Sequence, residues 1–303
     1  MTTAFIIFAA LTLDALFGEP RRFHPLVGFG RLALALERRW HGDTVWRGLV
    51  AVLVLLIPFI LLAALTRFVP HGILLDTLLL YLAIGWQSLG THARRVRDAL
   101  LAKNLSEARR RVGLMVSRDT TQLDPADVSK ATVESVLENG NDAIFGAIFW
   151  FVVAGAPGAV LYRLANTLDA MWGYRTERYR RFGWASARLD DVLNFIPARL
   201  TALSYALAGR TRMALSCWRT QGLSWKSPNA GPVMAAGAGS LGVLLGGPAS
   251  YHGVMQHRPL LGEGRMPDAE DIDSALQLIR HSLVIWLVAL ASGGTLVELF
   301  TSR

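Results

Sequence analysis

Apolar residues run long enough to cross a bilayer, roughly 20 in a row, in three clean stretches: Leu49–Val69, Ile73–Leu89 and Leu283–Phe300. Four further stretches are apolar but marked. Ala4–Phe17 carries Asp14, Ala143–Leu161 carries Ala156, Pro157 and Gly158, Val192–Ala208 carries Pro197 and Arg199, and Ala230–Leu245 is built almost wholly of small residues. Charge, proline and glycine at membrane depth are tolerated where the backbone is buried in protein or lines a wet cavity. The marked helices are therefore expected to pack around a central site. Between Thr91 and Asp142 the pattern changes: Val96, Leu100, Leu105 and Val112 recur among charges, as in an amphipathic helix lying on the membrane. The pattern predicts an all-α, polytopic helical membrane protein with interfacial helices and cytoplasmic loops. A single integral-membrane domain over residues 1–303 is expected, with a polar cytoplasmic segment at about 91–142. The apolar start before Arg21 lacks a basic head and a cleavage site, so it reads as a retained helix.

Composition agrees: of 303 residues 52% are hydrophobic and 18% charged, against about a quarter charged in ordinary soluble domains. The net charge of +8 would raise nucleic acid as a partner in a soluble protein. Its placement argues otherwise. The basic residues fall in blocks between apolar runs (Arg21–Arg47, Arg94–Lys130, Arg163–Arg188, Arg210–Lys226), as in loops kept on the cytoplasmic side of a bilayer. Nucleic-acid binding is set aside on that ground. One crossing at Ala143–Leu161 would put the Arg163–Arg188 block outside, against the same rule. Either that stretch dips in and turns back at Ala156–Gly158, or the rule fails here. Cys217 is the only cysteine, which excludes an intrachain disulfide and a zinc or iron–sulfur ligand set. A GxGxxG fingerprint after a strand and a Walker P-loop are both absent.

The polar residues that could carry chemistry form clusters. Glu134, Glu138 and Asp142 are spaced i, i+4, i+8, so a continuous helix would align three like charges on one face. A divalent cation would relieve their repulsion, and oxygen-only ligands, Asp119 included, suit magnesium. A solvated acidic face is the alternative, and Gly140 weakens the helix between the last two acids. Arg118 adjoins Asp119. Asn166, Asp169, Tyr174 and Arg175 suit a nucleotide or a large planar ligand, or a set of interfacial side chains. Arg188, Asp190, Asp191, Asn194 and Arg199 run into an apolar helix. Asp190 and Asn194 could hold a metal or a hydroxyl, and Arg188 and Arg199 could hold phosphate oxygens; structural Asp/Arg pairing is the other reading. His24 follows Glu19, Arg21 and Arg22 and precedes Pro25, placed as a general base or as an interfacial cap. Asn229 lies in the tight turn Ser227–Gly231.

Taken in order, these segments resemble the CobD/CbiB family, adenosylcobinamide-phosphate synthase of cobalamin biosynthesis. The resemblance rests on Leu13–Arg31, Ser117–Thr120, Glu134–Asp142, Asn166–Arg175, Gly183–Ala202 and Ser227–Gly231, and extends to Leu261–Gly264. Ser117 stands where the family commonly has glycine, and Gly146-Ala147 where it usually has Ala-Pro. The resemblance implies an enzyme of the inner membrane that joins the carboxylate of the corrinoid adenosylcobyric acid to aminopropanol or its phosphate, using ATP and magnesium. On that reading Asp119, Glu134, Glu138 and Asp142 hold magnesium. Arg21, Arg118, Arg175, Arg188 and Arg199, with Asn166, Asp169, Tyr174, Asn194 and Asn229, bind substrate or phosphate, and His24, Asp190 or Asp191 is the base. The active site is expected on the cytoplasmic side, with Trp172, Tyr174, Phe182 and Trp184 lining a corrin groove or forming an interfacial belt. A homo-oligomer is compatible with the sequence. The rival readings are a magnesium-dependent intramembrane prenyl- or phospho-alcohol transferase, and a membrane sensor or transporter.

Overall fold

The computed structural model describes residues 2–20, 24–174, 176–251 and 253–301, with side chains as far as Gly293. Arg21 and Arg175, two of the expected phosphate ligands, lie outside the described residues. The helices are α1 (Thr2–Phe17), α2 (Pro25–Trp40), α3 (Val45–Ala64), α4 (Gly72–Ala83), α5 (Trp86–Leu101), α6 (Leu105–Val112), α7 (Pro125–Gly140), α8 (Gly146–Ala154), α9 (Ala156–Trp172), α10 (Trp184–Ala208), α11 (Thr211–Gln221), α12 (Ala230–Leu241) and α13 (Ala269–Thr301). Among the described residues, four helical stretches are long and apolar enough to cross a membrane: Val45–Phe68, Gly72–Leu101, Pro125–Ala154 and Ala269–Gly293. The chain is an all-α polytopic membrane protein, with one small β addition. Strands β1 (Leu244–Gly246) and β4 (Leu260–Gly262) pair antiparallel, as do β2 (Ala249–Tyr251) and β3 (Val254–Gln256) between them.

The third span corrects the sequence reading, which placed residues up to Asp142 in a polar cytoplasmic segment. Every residue from Val128 to Leu137 is buried. The polarity of α7 is spent locally: the hydroxyls of Ser129 and Thr132 donate to the carbonyls of Pro125 and Val128, at 3.0 and 2.8 Å. Asp124 caps the helix by accepting from the Asp127 amide at 2.8 Å, and Pro125 occupies the first turn. After Gly140 the backbone widens into a π-turn, Asn141–Phe145, before α8. The π-turn interrupts the 3.6-residue period on which an alignment of Asp142 with Glu134 and Glu138 depends.

The chain divides into two compact units, Met1–Trp86 with Asp142–Asn194, and Gln87–Asn141 with Phe195–Arg303. In the first, α9 is the centre, packed on α2, α3, α4 and α8. Tyr162, Trp172, Phe145 and Phe182 are fully buried there. The break expected near Ala156–Gly158 is a reversal. Gly155 takes φ 69° and ψ −156°, a region open in practice to glycine alone, and α9 then folds back along α8. Gly158 lies against the Trp150 carbonyl and Gly146 against the Tyr162 ring. The returning chain carries Arg178–Arg188 back toward the end from which α8 set out. That removes the conflict with the positive-inside rule that a single crossing creates.

In the second unit, α7 packs on α13, α12, α6 and β1, and the small residues of α12 let it press against α11. With 12 residues α12 is about 18 Å long, too short for the span expected at Ala230–Leu245; Gly242 ends it and Leu244 enters β1. Val96 and Val112 of the amphipathic segment are buried against protein. On α10, Phe195, Ile196, Leu200, Leu203 and Leu207 form an exposed apolar stripe, the pattern of a lipid-facing helix.

The turn at Gly155 is testable. Gly155→Ala is expected to lower stability by about 1–3 kcal/mol, read as a lower unfolding temperature in detergent. Gly28→Ala, on α2 with nothing within 4 Å of the added carbon, should not lower it. Equal effects of the two changes would contradict the hairpin.

Candidate active site

A polar cavity of about 240 Å³ opens in the second unit, lined among others by Ser117, Arg118, Glu134, Glu138, Asn139, Trp225, Tyr251 and Arg258. Its organising group is Glu134, in the third turn of α7, whose side chain is only 4% exposed. One carboxylate oxygen accepts from Arg118 and from Nη1 of Arg258 at 3.2 Å. The other accepts from Nη2 of Arg258 at 3.3 Å and from the Gly246 amide at 2.7 Å. The loop before α7, the α7 helix and the β segment are thus tied at one point. Arg258 is held further by the Gly247 carbonyl at 2.9 Å and by the Trp225 ring, whose centroid lies 5.1 Å from its guanidinium. Asp119 fastens the same loop to the β segment, accepting from the Ser250 hydroxyl and from the Gly253 amide at 2.8 Å.

This geometry revises the magnesium assignment. Glu134 is engaged by two guanidiniums and an amide, and Asp119 by a hydroxyl and an amide. The four acids do not form one ligand group; among the described residues no three His, Cys, Asp or Glu side chains are placed to hold a metal ion. Magnesium is commonly bound through one or two carboxylates together with substrate phosphates. On the cavity wall Glu138, with Asn139 beside it, fits that use.

Arg199 and Asn229 come together elsewhere in this unit. Arg199 donates to Asn229 Oδ1 at 2.6 Å and to the Pro228 and Phe195 carbonyls, each at 3.0 Å, with its guanidinium 3.8 Å over the Phe195 ring. That contact set pins the Ser227–Gly231 turn.

In the first unit, α9 and α10 bring three expected residues together. The Asp190 carboxylate accepts from Asn166 at 3.2 Å and Asn194 at 3.1 Å, and Asn194 Oδ1 accepts the Tyr162 hydroxyl at 2.8 Å. Burial pushes the Asp190 carboxyl above the usual range; the two amides hold that shift back, and the nearby charge of Asp191 adds to it. Asp142 and Asp190 both act electrostatically on Tyr162. Arg188 and Asp191 form an exposed pair at 3.6 Å, Asp169 lies in the last turn of α9, and Tyr174 is exposed. Trp172 and Phe182 do not line a groove: they pack edge to face at 5.1 Å in the core, and the indole donates to Glu37.

His24 is the N-cap of α2, its Nδ1 accepting from the Leu26 amide at 3.2 Å. Burial lowers its pKa, opposed by Glu19 and aided by Arg163, so the ring is neutral near pH 7. With Nδ1 accepting, the proton sits on Nε2, a donor where a base needs a lone pair. The cap reading is the one the geometry supports.

Sequence reasoning missed Arg258, Trp225, Tyr251, Tyr162 and Glu37. Arg258 lies in a stretch without periodicity, and nothing in its neighbours marks it. Tyr162 directly follows Ala143–Leu161, read as an apolar stretch marked only by Ala156–Gly158.

The chain can be compared with known proteins on this footing. The CobD/Cbib protein family model matches residues 7–279. The chain belongs to the CobD/Cbib family. Cobalamin biosynthesis protein CobD of Stutzerimonas stutzeri (strain A1501) is 58% identical over 98% of this chain and 99% of its own. The protein of that name from Chromobacterium violaceum is 57% identical over 94% of this chain and 95% of its own, and that from Mycobacterium tuberculosis H37Rv is 39% identical over 92% of each. No solved structure matches this CobD/Cbib chain.

Removing Glu134 leaves two guanidiniums without their counter-charge. Glu134→Ala is expected to cost about 3–5 kcal/mol of stability, and Glu134→Leu combined with Arg118→Met clearly less, both read from unfolding in detergent. A double variant as unstable as the single one would contradict the charge account.

Proposed function

We propose that this chain is the amide-forming enzyme of the pathway. It acts as an ATP-dependent acid–amine ligase of the inner membrane, joining adenosylcobyric acid to aminopropanol or its phosphate on the cytoplasmic side. Family membership supports a biosynthetic step in cobalamin synthesis. The observation that carries the finer reading is the polar cavity: Arg118 and Arg258 meet on one part of its wall, and Glu138 lies on another. That is a complement for a small molecule with an anionic end and an ammonium end. At about 240 Å³ the cavity is below the 300–1,000 Å³ typical of drug-sized ligands, which suits the amine partner and excludes a corrin ring. Two guanidiniums favour the phosphorylated amine over the free alcohol.

Amide formation from a carboxylate is uphill in water and needs an activated acyl group. In the reading proposed, the corrinoid carboxylate attacks the terminal phosphorus of ATP and ADP leaves. The amine nitrogen then attacks the acyl carbon, and inorganic phosphate departs. Glu138 would hold magnesium together with the ATP phosphates, and the ion would supply neutralisation of their charge. The residues of this chain supply positioning and charge. Arg118 and Arg258 hold the anionic end of the amine, Glu134 fixes both guanidiniums, and Glu138 orients the ammonium, whose proton passes to solvent before the nitrogen attacks.

Purified protein in detergent should consume ATP and form an amide only when a cobyric-acid substrate and the amine are both present. Glu138→Gln should lower kcat about 100-fold or more. Turnover of a prenyl diphosphate, or ATP consumption indifferent to the corrinoid, would overturn the ligase reading.

A further inference from the structure

The first unit holds a second cavity of a different character. It measures about 460 Å³ and is walled by α2, α3, α4 and α9, with Phe29, Phe59, Leu62, Leu79 and Val160 among its lining residues. Its lining is apolar save for Thr66, whose hydroxyl donates to the Ala63 carbonyl, and Arg163. A dry apolar cavity of about 150 Å³ already binds a small apolar ligand, and this one is about three times that volume.

Three observations say what fills it. Two of its walls, α3 and α4, lie within membrane spans. Its rim residues Leu62, Leu65 and Leu78 are 64%, 52% and 45% exposed, and they continue the exposed apolar surface of Ile57, Leu61 and Leu74 on the same spans. The cavity therefore opens where acyl chains lie. Finally, Arg163, half-buried, is the one charged residue on the lining among the described residues. It is set at the end of the cavity near Glu19 and the start of α2.

We propose that this cavity is a phospholipid site, with one acyl chain running between α3 and α4 and the lipid phosphate meeting Arg163. The apolar wall takes the chain, and the half-buried Arg163 guanidinium faces the headgroup. The same lipid props Pro25 and Leu26, at the first turn of α2, and α9 one turn before Asn166. Its loss loosens the helices that carry the Asn166–Asp190–Asn194 network. The site requires nothing of the ligase reading and stands or falls by itself.

Native mass spectrometry of the full chain in mild detergent, extracted from membranes and re-supplied with phosphatidylglycerol or phosphatidylcholine, tests this. One phospholipid per chain should be retained. Leu79→Trp and Val160→Trp, which fill the cavity, and Arg163→Gln, which removes the headgroup contact, should each reduce retention at least fivefold in protein that keeps its helical circular dichroism. Leu61→Trp, on the exposed surface outside the cavity, should leave retention unchanged. Absence of a discrete bound phospholipid, or retention unchanged in either cavity-filling variant, would overturn the site. So would an equal loss in Leu61→Trp.

Discussion

Glu134 sits on a membrane-spanning helix where an unpaired carboxylate would cost several kcal/mol, and the elements around it supply its donors. Arg118 comes from the loop before α7, Arg258 from the connection between β3 and β4, and the Gly246 amide from β1. The β segment is docked on α7 because the charge requires it. The same contacts leave two guanidiniums fixed on the wall of a polar cavity. One constraint thus gives the second unit both its internal order and its chemical character. The aromatic ring of Trp225 and the carbonyl of Gly247 hold Arg258 in place, so its planar fork is set before any ligand arrives, which is where an arginine gains over a lysine.

The first unit solves its buried charge differently. Asp190 meets amides, from Asn166 and Asn194, and the Tyr162 hydroxyl completes the chain of hydrogen bonds. These partners are neutral, and burial raises the proton affinity of the carboxylate accordingly. Such a network has a protonation state that responds to its surroundings, in contrast to the doubly ion-paired Glu134. The hairpin at Gly155 makes this network possible, since it turns α9 back along α8 and brings Tyr162 and Asn166 beside α10.

Much of this was legible in the sequence, and the misses have physical causes. Runs without charge, such as Leu49–Leu65, announce spans because lipid admits nothing else. α7 escaped because Ser129 and Thr132 count as polar in a hydropathy pattern although each hydroxyl is satisfied one turn back. The acidic spacing of Glu134, Glu138 and Asp142 was visible, but the π-turn that interrupts the period at Asn141–Phe145 is invisible to a pattern based on 3.6 residues per turn. His24 before Pro25 read equally as base or cap, and only the Nδ1 contact decides between them. Arg258 was illegible for a simpler reason: its partner is 124 residues away in sequence, and no local pattern encodes such a pairing.

The central claim is that Arg258, fixed by Glu134, receives an anionic group in the polar cavity. Calorimetric titration of purified protein with aminopropanol phosphate and with aminopropanol, in the native chain and in Arg258→Gln, tests it most directly. The account predicts a Kd for the phosphorylated amine at least about tenfold weaker in the variant, with binding of the unphosphorylated amine little changed. Equal weakening for both amines, or unchanged affinity for the phosphorylated one in a variant that unfolds at the native temperature, would contradict it.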